Sequence, residues 1–566
     1  MAKIKIISKC ESKIQREINP QPLKIFMASA PFLCGIYYEW ASGLACLFLL
    51  AYLGYCYKRR GNILVVSSAA LIAAVVIPLF YGISPLWAVD SGMTLFGMLK
   101  FLPLPFFVLA KDQLEKENRK ELLNYIPVSG MIMVVLSGVL SLIPVINIYF
   151  IVNKRLAGFF QYPNTFALYL LIGVIILLTQ EKWNKKNIFI LLGLFAGIIV
   201  TGSRTGLILF VFTILWYCLW VKNIKVRLGI LGVLILFAII TGVYVLVTGD
   251  TASIGRYFTT SFSSSTFLGR LLYFKDALPI IVKHPFGLGY MGYYFMQGSF
   301  QTGVYSVVNI HNELLQILLD IGWIPAGICV WTVIKGFCSG STKKRMLIAV
   351  IILHSMLDFN LQFVSILFIL FTAIDSENKH IIKLKKKSIL ISLAVFSAVL
   401  SLYFGVDSAL YYLKMYPVAA AIYPGNTNAL MEMLTESEKV EDMERIANQI
   451  LVMNPSNPLA VNAKARVSYS KGDFGDMIRY KLRALEYYRY SLSEYLDYFN
   501  MLYIGYQLYI ENNDMDSAQI CVDHIMEIPD MLEEVLKNTD SIAYKINDKP
   551  KLKLPEEYQK ILQTLK

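Results

Sequence analysis

Charge is scarce in this chain. Only 16% of its 566 residues are Asp, Glu, Lys or Arg, against roughly 25% in soluble domains. With 56% hydrophobic residues and a mean hydropathy of +0.54, an ordinary water-soluble globule is excluded. Histidine is rarer still, with five in the whole sequence. The eight cysteines are scattered, several inside apolar runs, and none forms a Cys-x-x-Cys pair. That pattern suggests neither a metal knuckle nor a disulfide framework. The apolar runs are continuous and lack the period-two alternation of a membrane β-barrel. Gly287 and Gly289 make a short GxG, but no strand precedes it and no Walker lysine follows, so a nucleotide loop is excluded. The first residues, MAKIKIISKCESKIQREINPQP, are basic and polar, without the apolar core and cleavage site of a secretory signal. They read as a cytoplasmic tail, 1–22.

What is present is a long series of apolar runs, each near the roughly twenty residues that cross a bilayer. Spans are predicted near 23–39, 41–57, 62–80, 91–110, 123–143, 158–179, 188–201, 204–221, 228–248, 313–334, 346–358, 361–375 and 388–406. The expected class is an all-α polytopic membrane protein with about 12–13 transmembrane helices. The net charge of +13 hides a split: residues 1–406 carry 36 Lys/Arg against 16 Asp/Glu, and residues 407–566 carry 17 against 24. Of those 36, 28 fall at the amino terminus and in alternate loops: KRR at 58–60 and the runs at 111–120, 181–187, 221–227, 335–345 and 379–387. Basic loops stay cytoplasmic, so the amino terminus is expected inside and everything after Val406 outside. Nucleic acid is not the expected partner, because these charges sit in short interhelical loops. A single helix over 346–375 would be too long and would leave KLKKK outside. A hairpin around Asp358–Asn360 repairs both faults and sets His354 and Asp358 at the outer surface.

The one long polar interruption is the loop 249–312, which holds GRLLYFKDALPIIVKHPFGLGY and leads into NIHNELLQILLDIG. Ionisable groups beside spans default to functional candidates. A leaving phosphate is best met by arginine, always charged and able to donate two parallel hydrogen bonds. Arg204, in the turn TGSRTGL, and Arg270 are the leading candidates. The alternative for Arg204 is a helix-end charge reaching outer headgroups. Arg155 is open between both readings, while Arg256 and Lys275 read as surface charges. His311 suits a general base or an acceptor-orienting group, with Asn312 beside it; the alternative is a capping or packing histidine. His284, before a proline in a Gly-rich turn, reads as structural. His354 and Asp358 are four apart and would share a helix face, either to fix a tautomer, to bind acceptor hydroxyls, or as a buried structural pair. Lys100 lies mid-span with no evident partner, either near a phosphate or snorkelling. LYFKDALPIIVKHP reads as an amphipathic helix on the outer leaflet.

From Ala409 the composition changes. Helical pairs joined by turns such as NPSNP and KGDF recur at about 40 residues and resemble tetratricopeptide-like repeats. The run EYYRYSLSEYLDYF is either a stacking surface for sugar or peptide, or aromatic core. A domain over 407–566 that binds a protein partner or glycan is expected.

Four stretches together resemble the O-antigen ligase/polymerase superfamily, the membrane glycosyltransferases of the Wzy and WaaL kind. They are RLAGFFQYPNTFALYL, TGSRTG, GRLLYFKDALPIIVKHPFGLGY and HNELLQILLDIG. The resemblance covers about residues 20–405 and implies a GT-C-type fold over 23–406. It implies an undecaprenyl-diphosphate-linked glycan as donor, within membrane lipid, and a hydroxyl of a glycan, lipid or protein as acceptor. No metal or other cofactor is implied, because arginines take that place. The catalytic candidates are His311, Arg270 and Arg204. Candidate contacts to the donor diphosphate or acceptor are Arg155, Asn164, Tyr273, Asn312, His354, Asp358 and Lys100. The expected location is the bacterial cytoplasmic membrane. The rival classes are a flippase or exporter of the same lipid-linked glycan, and a non-catalytic anchor for the tail. A transporter needs charges along a central path, whereas these cluster at one face, and an anchor does not need thirteen spans.

Overall fold

The computed structural model describes residues 17–180, 184–221, 264–374 and 380–565, with Arg227 and Gly232. The predicted span 228–248 (Gly232 apart) and Arg256 lie outside these described residues. The rest is an all-α polytopic membrane protein. Among the described residues, five helices are long and apolar enough to cross a bilayer: Glu39–Arg60, Ala69–Leu86, Thr94–Asp112, Lys116–Leu140 and Lys387–Tyr412. Shorter apolar helices run over Pro163–Leu178, Arg204–Trp220, Trp323–Ser339 and Val364–Ala373.

Two helices form the centre. Every residue from Thr165 to Leu178 is buried, and so is every residue of Val364–Ala373. Helices apolar on all sides belong inside a bundle rather than at its rim. Both begin at the same end of the bundle, beside the candidate site. The first and last long helices pack against each other where Gly43 meets Ser401 and Gly405; a Cβ on Gly43 would lie 2.8 Å from the Ser401 carbonyl oxygen. Small residues at such a crossing let two membrane helices approach closely.

The opposite end gathers basic loops. Ile63–Ser67 is a strand, paired antiparallel with His380–Leu384. The predicted span 62–80 therefore starts only at Ala69, capped by the Ser68 hydroxyl, which accepts from the Leu71 amide at 3.2 Å. Gln113 joins the same corner, donating to the Leu64 carbonyl at 2.8 Å and accepting from the Leu64 amide at 3.0 Å. Lys24 reaches Glu121 from the other side. Arg60 donates to the Gln113 carbonyl at 2.8 Å, so three of the stretches expected on one side, 58–60, 111–120 and 379–387, meet at one end.

Three further boundaries differ from the sequence reading. The first span is helical only to Ser29 and continues as 3-10 turns. The predicted 313–334 span breaks at Gly322, whose φ of +83° ends Glu313–Ile321 before Trp323–Ser339 begins. The last helix runs on to Tyr412.

Beyond it the tail is a run of packed helices from Tyr416–Ile422 to Glu556–Leu565. It docks on the membrane part at several points. The Ser91 amide donates to the Met453 carbonyl at 3.0 Å, and the Tyr423 hydroxyl to the Gly92 carbonyl at 3.1 Å. Near the far end of the tail, the Asp540 amide donates to Thr302 at 2.9 Å, and the Asn547 amide to the Ser265 hydroxyl at 2.9 Å. Asp540 also pairs with Lys275. Ser265 and Lys275 belong to the helix Ser265–Lys283, which carries Arg270.

Candidate active site

The HPFGLG turn follows that helix and is built to clamp the Gly322 break. The Leu288 amide donates to the Leu319 carbonyl at 2.6 Å, the Gly289 amide to Asp320 at 2.9 Å, and the Trp323 amide to Pro285 at 2.9 Å. The first two bonds satisfy carbonyls at the end of Glu313–Ile321, and the third an amide at the start of Trp323–Ser339, groups that helix ends leave without partners. Gly287 has φ +83°, and a Cβ there would meet the Asp320 carbonyl oxygen at 2.5 Å. The GxG is therefore a backbone clamp, and His284, at the C-cap of the preceding helix, stands apart from the charged cluster.

At the other end of Glu313–Ile321, Asn312 is the N-cap. Its side-chain oxygen accepts from the Leu315 amide at 3.1 Å, and its nitrogen donates to the Met356 carbonyl at 3.0 Å. Buried Glu313 holds the same turn, accepting from the Leu361 and Gln362 amides at 2.7 and 3.1 Å. Between them, the turn that carries Asp358 is fixed to the start of this helix.

Asp358 is the hub. The helix Thr342–Ser355 ends before it, so it does not share a helix face with His354 as the spacing predicted. Its Oδ1 accepts from the Tyr162 hydroxyl at 2.7 Å, the Phe359 amide at 3.1 Å and Nδ1 of His311 at 3.1 Å. Its Oδ2 accepts from Asn164 at 2.6 Å and faces the Arg270 guanidinium at 3.5 Å. Asp358 lies in the turn beyond the helix end. Burial pushes its carboxyl up, but the His311 hydrogen bond and the Arg270 guanidinium beside it outweigh that and hold it well below the usual carboxylate range.

A carboxylate only accepts, so Nδ1 of His311 carries a proton, and in the neutral ring Nε2 is the nitrogen with the lone pair. The His311 side chain is about one-fifth exposed, and its ring meets Phe359 edge-on at 5.0 Å. Its backbone has φ +57°, in the left-handed region. For a residue other than glycine, that conformation costs on the order of 1–3 kcal/mol and is held only by surrounding structure. Asn309, the Asn312 cap and the Phe359 ring supply that surround.

Arg155 links the second motif to the first. Its Nε donates to the Thr201 carbonyl at 2.7 Å, at the turn before Arg204, and its Nη2 to the Asn164 oxygen. One guanidinium thus ties the TGSRTG turn to Asn164 and, through it, to Asp358. Arg204 opens its helix, capped by Ser203, and makes no hydrogen bond or ion pair among the described residues.

Not every predicted residue joins the hub. His354 is fully buried, with Nδ1 against Asn360 at 2.9 Å, and Asn360 accepts from Thr165 at 2.9 Å. Tyr273 packs on Tyr305 at 4.6 Å, one turn along from Arg270. Lys100 does have partners: the Tyr290 hydroxyl at 3.5 Å and the face of Tyr37 at 4.4 Å. Tyr162, Asn360 and Glu313 were missed by sequence reasoning. Tyr162 stood within the quoted QYPN, next to the residues that were singled out. Asn360 was read only as part of the turn Asp358–Asn360, with no part in the site.

A family model described as O-Antigen ligase matches residues 188–330. The resemblance to the O-antigen ligase/polymerase superfamily is thereby shown. No curated protein gives a match to the chain. Within the O-antigen ligase segment lie Arg204, Arg270 and His311. Arg155, Asn164 and Asp358 lie outside it, and the fold brings Asn164 and Asp358 into hydrogen-bond contact with each other and Asp358 with His311.

Proposed function

We propose that this chain moves a glycan from undecaprenyl diphosphate to an acceptor hydroxyl at the outer face of the bacterial cytoplasmic membrane, by transfer or polymerisation, for surface polysaccharide assembly. The observation that carries this reading is the meeting of Asn164, Arg270 and His311, from three separate segments, at the Asp358 carboxylate, with Arg155 held against Asn164.

Each group has a part. The acceptor oxygen bonds to the anomeric carbon while the bond from that carbon to the phosphate oxygen breaks. The electron pair leaves with the lipid diphosphate. The acceptor proton passes to Nε2 of His311, and Asp358 stabilises the imidazolium that forms. Arg270 meets the charge that grows on the diphosphate, with Arg155 and Arg204 behind it. Charge stabilisation of this kind is usually the largest catalytic contribution. The start of Arg204–Trp220 adds the positive end of a helix dipole.

The test is release of undecaprenyl diphosphate from a lipid-linked oligosaccharide by the purified protein in a chelating buffer. Arg270→Ala and His311→Ala are each expected to lower the rate about 10²–10³-fold. Full activity in both variants refutes the site. Labelling of engineered cysteines at positions 204 and 311 tests the topology, since both must react from the outside.

A further inference from the structure

A second cavity, of about 300 Å³, lies where the membrane part meets the tail. Its size falls at the lower end of the range for small-ligand sites. It is walled by Tyr37 and Tyr38 from the first loop, Tyr290 from the long loop, Tyr412 from the end of the last membrane helix, and Asn428 from the tail. Glu39 stands in the wall, only 8% exposed. It accepts from the Tyr290 hydroxyl at 2.6 Å and the Ser408 hydroxyl at 3.2 Å. A carboxylate offers about four acceptor positions, so part of its capacity is left for a ligand. Lys100 lies behind these rings, its Nζ 4.4 Å from the Tyr37 ring and 3.5 Å from the Tyr290 oxygen.

The cavity adjoins the reacting groups. The Tyr37 hydroxyl accepts from Asn309, two residues before His311, at 3.2 Å, and its ring lies 6.3 Å from that of Phe359. Tyr38 donates to Gln161, next to Tyr162, at 2.7 Å and meets Tyr412 edge-on at 4.5 Å. Aromatic rings with hydroxyl rims, one acceptor carboxylate and a primary amide suit a ligand with apolar C–H faces and many hydroxyls. A buried carboxylate disfavours a phosphate. We propose that this cavity binds an uncharged sugar of the glycan, beyond the sugar that reacts. This rests on the glycosyl-transfer reading for its ligand but not for its detection.

The probe is the delipidated, neutral oligosaccharide of the donor, added to the full-length protein in detergent and followed by saturation-transfer NMR. Tyr412 is 43% exposed, so Tyr412→Ala removes one stacking face without opening the core. Binding is expected to weaken about tenfold, and Asn428→Trp, which fills the cavity, to abolish it. His311→Ala should leave binding intact. Titrating acceptor and donor oligosaccharides separately shows which one supplies the sugar. Wild-type binding in a monodisperse Asn428→Trp protein overturns the proposal, as does equal competition by undecaprenyl phosphate carrying no sugar. If the wild type binds sugar and Asn428→Trp does not, while no glycan transfer is seen, the site stands and the transferase reading falls.

Discussion

Replacing Asp358 by Asn keeps the shape of the hub and removes its charge. Five groups now point at the carboxylate: Tyr162, Asn164, His311, the Phe359 amide and Arg270. All of them donate. An Asn has one accepting oxygen, and its amide nitrogen must face a donor. Two losses follow. The Arg270 guanidinium, with its side chain only 15% exposed, loses its one carboxylate partner among the described residues, which leaves a largely buried charge without its counter-ion. His311 loses the acceptor that fixes its tautomer, and in hydrolases with a Ser-His-Asp triad the same exchange costs about 10⁴ in rate. For Asp358→Asn we expect glycan transfer to fall about 10²–10⁴-fold, equivalent to roughly 2.7–5.4 kcal/mol in the barrier. The assay is single-turnover release of lipid diphosphate under saturating donor, with detergent-solubilised protein checked for monodispersity. A rate within threefold of wild type refutes the role of the carboxylate. So does an equal loss in Asp358→Asn and in a distant buried variant of matched thermal stability.

Arg155→Lys keeps a charge but cannot hold both the Thr201 carbonyl and Asn164 from one planar group; activity is expected to drop about 10–100-fold, read in the same release assay. Gly287→Ala places a Cβ against the Asp320 carbonyl at φ +83° and is expected to cost on the order of 1–3 kcal/mol, seen as a lower unfolding temperature. Asp540, at the tail contact, is held below its ordinary range despite burial, by the Ile542 amide and Lys275. A carboxyl lowered in the fold stabilises above its unfolded value and loses that contribution as pH falls through the folded one. The Asp540 contact should therefore persist from neutral pH down to the ordinary carboxylate range and weaken only below it. Proteolysis of the tail junction against pH, compared with Asp540→Asn, checks this: cleavage that rises between pH 7 and 6 in the wild type alone contradicts it.

Much of the bundle was legible because the bilayer imposes its own length and charge rules. Runs of apolar residues gave the long helices, and alternate basic loops gave the end where Ile63–Ser67 meets His380–Leu384. The strand itself was hidden, since ILVVS reads as the start of an apolar span until a partner more than 300 residues away is known. His311, Arg270, Asp358 and Asn164 were picked out by residue type and motif, and they do meet. The shared helix face of His354 and Asp358 was misjudged because four-residue spacing assumes a continuing helix, and this one stops at Ser355. Lys100 seemed unpartnered because its partners are aromatic: Tyr290 and Tyr37 come from loops far away in sequence. Tyr273 carried no signal separating a packing tyrosine from a contact residue, and the fold packs its ring, tilted, against Tyr305.

The seam between Gly43 and Gly405 has a bearing on biogenesis. The helix made first among the long ones must wait for the last before its glycine face is covered. Until about residue 405 has left the ribosome, that strip faces lipid or a chaperone. A nascent chain arrested after Ala373 should therefore stay open along one side, and a separately supplied Lys387–Tyr412 segment should be able to shut it.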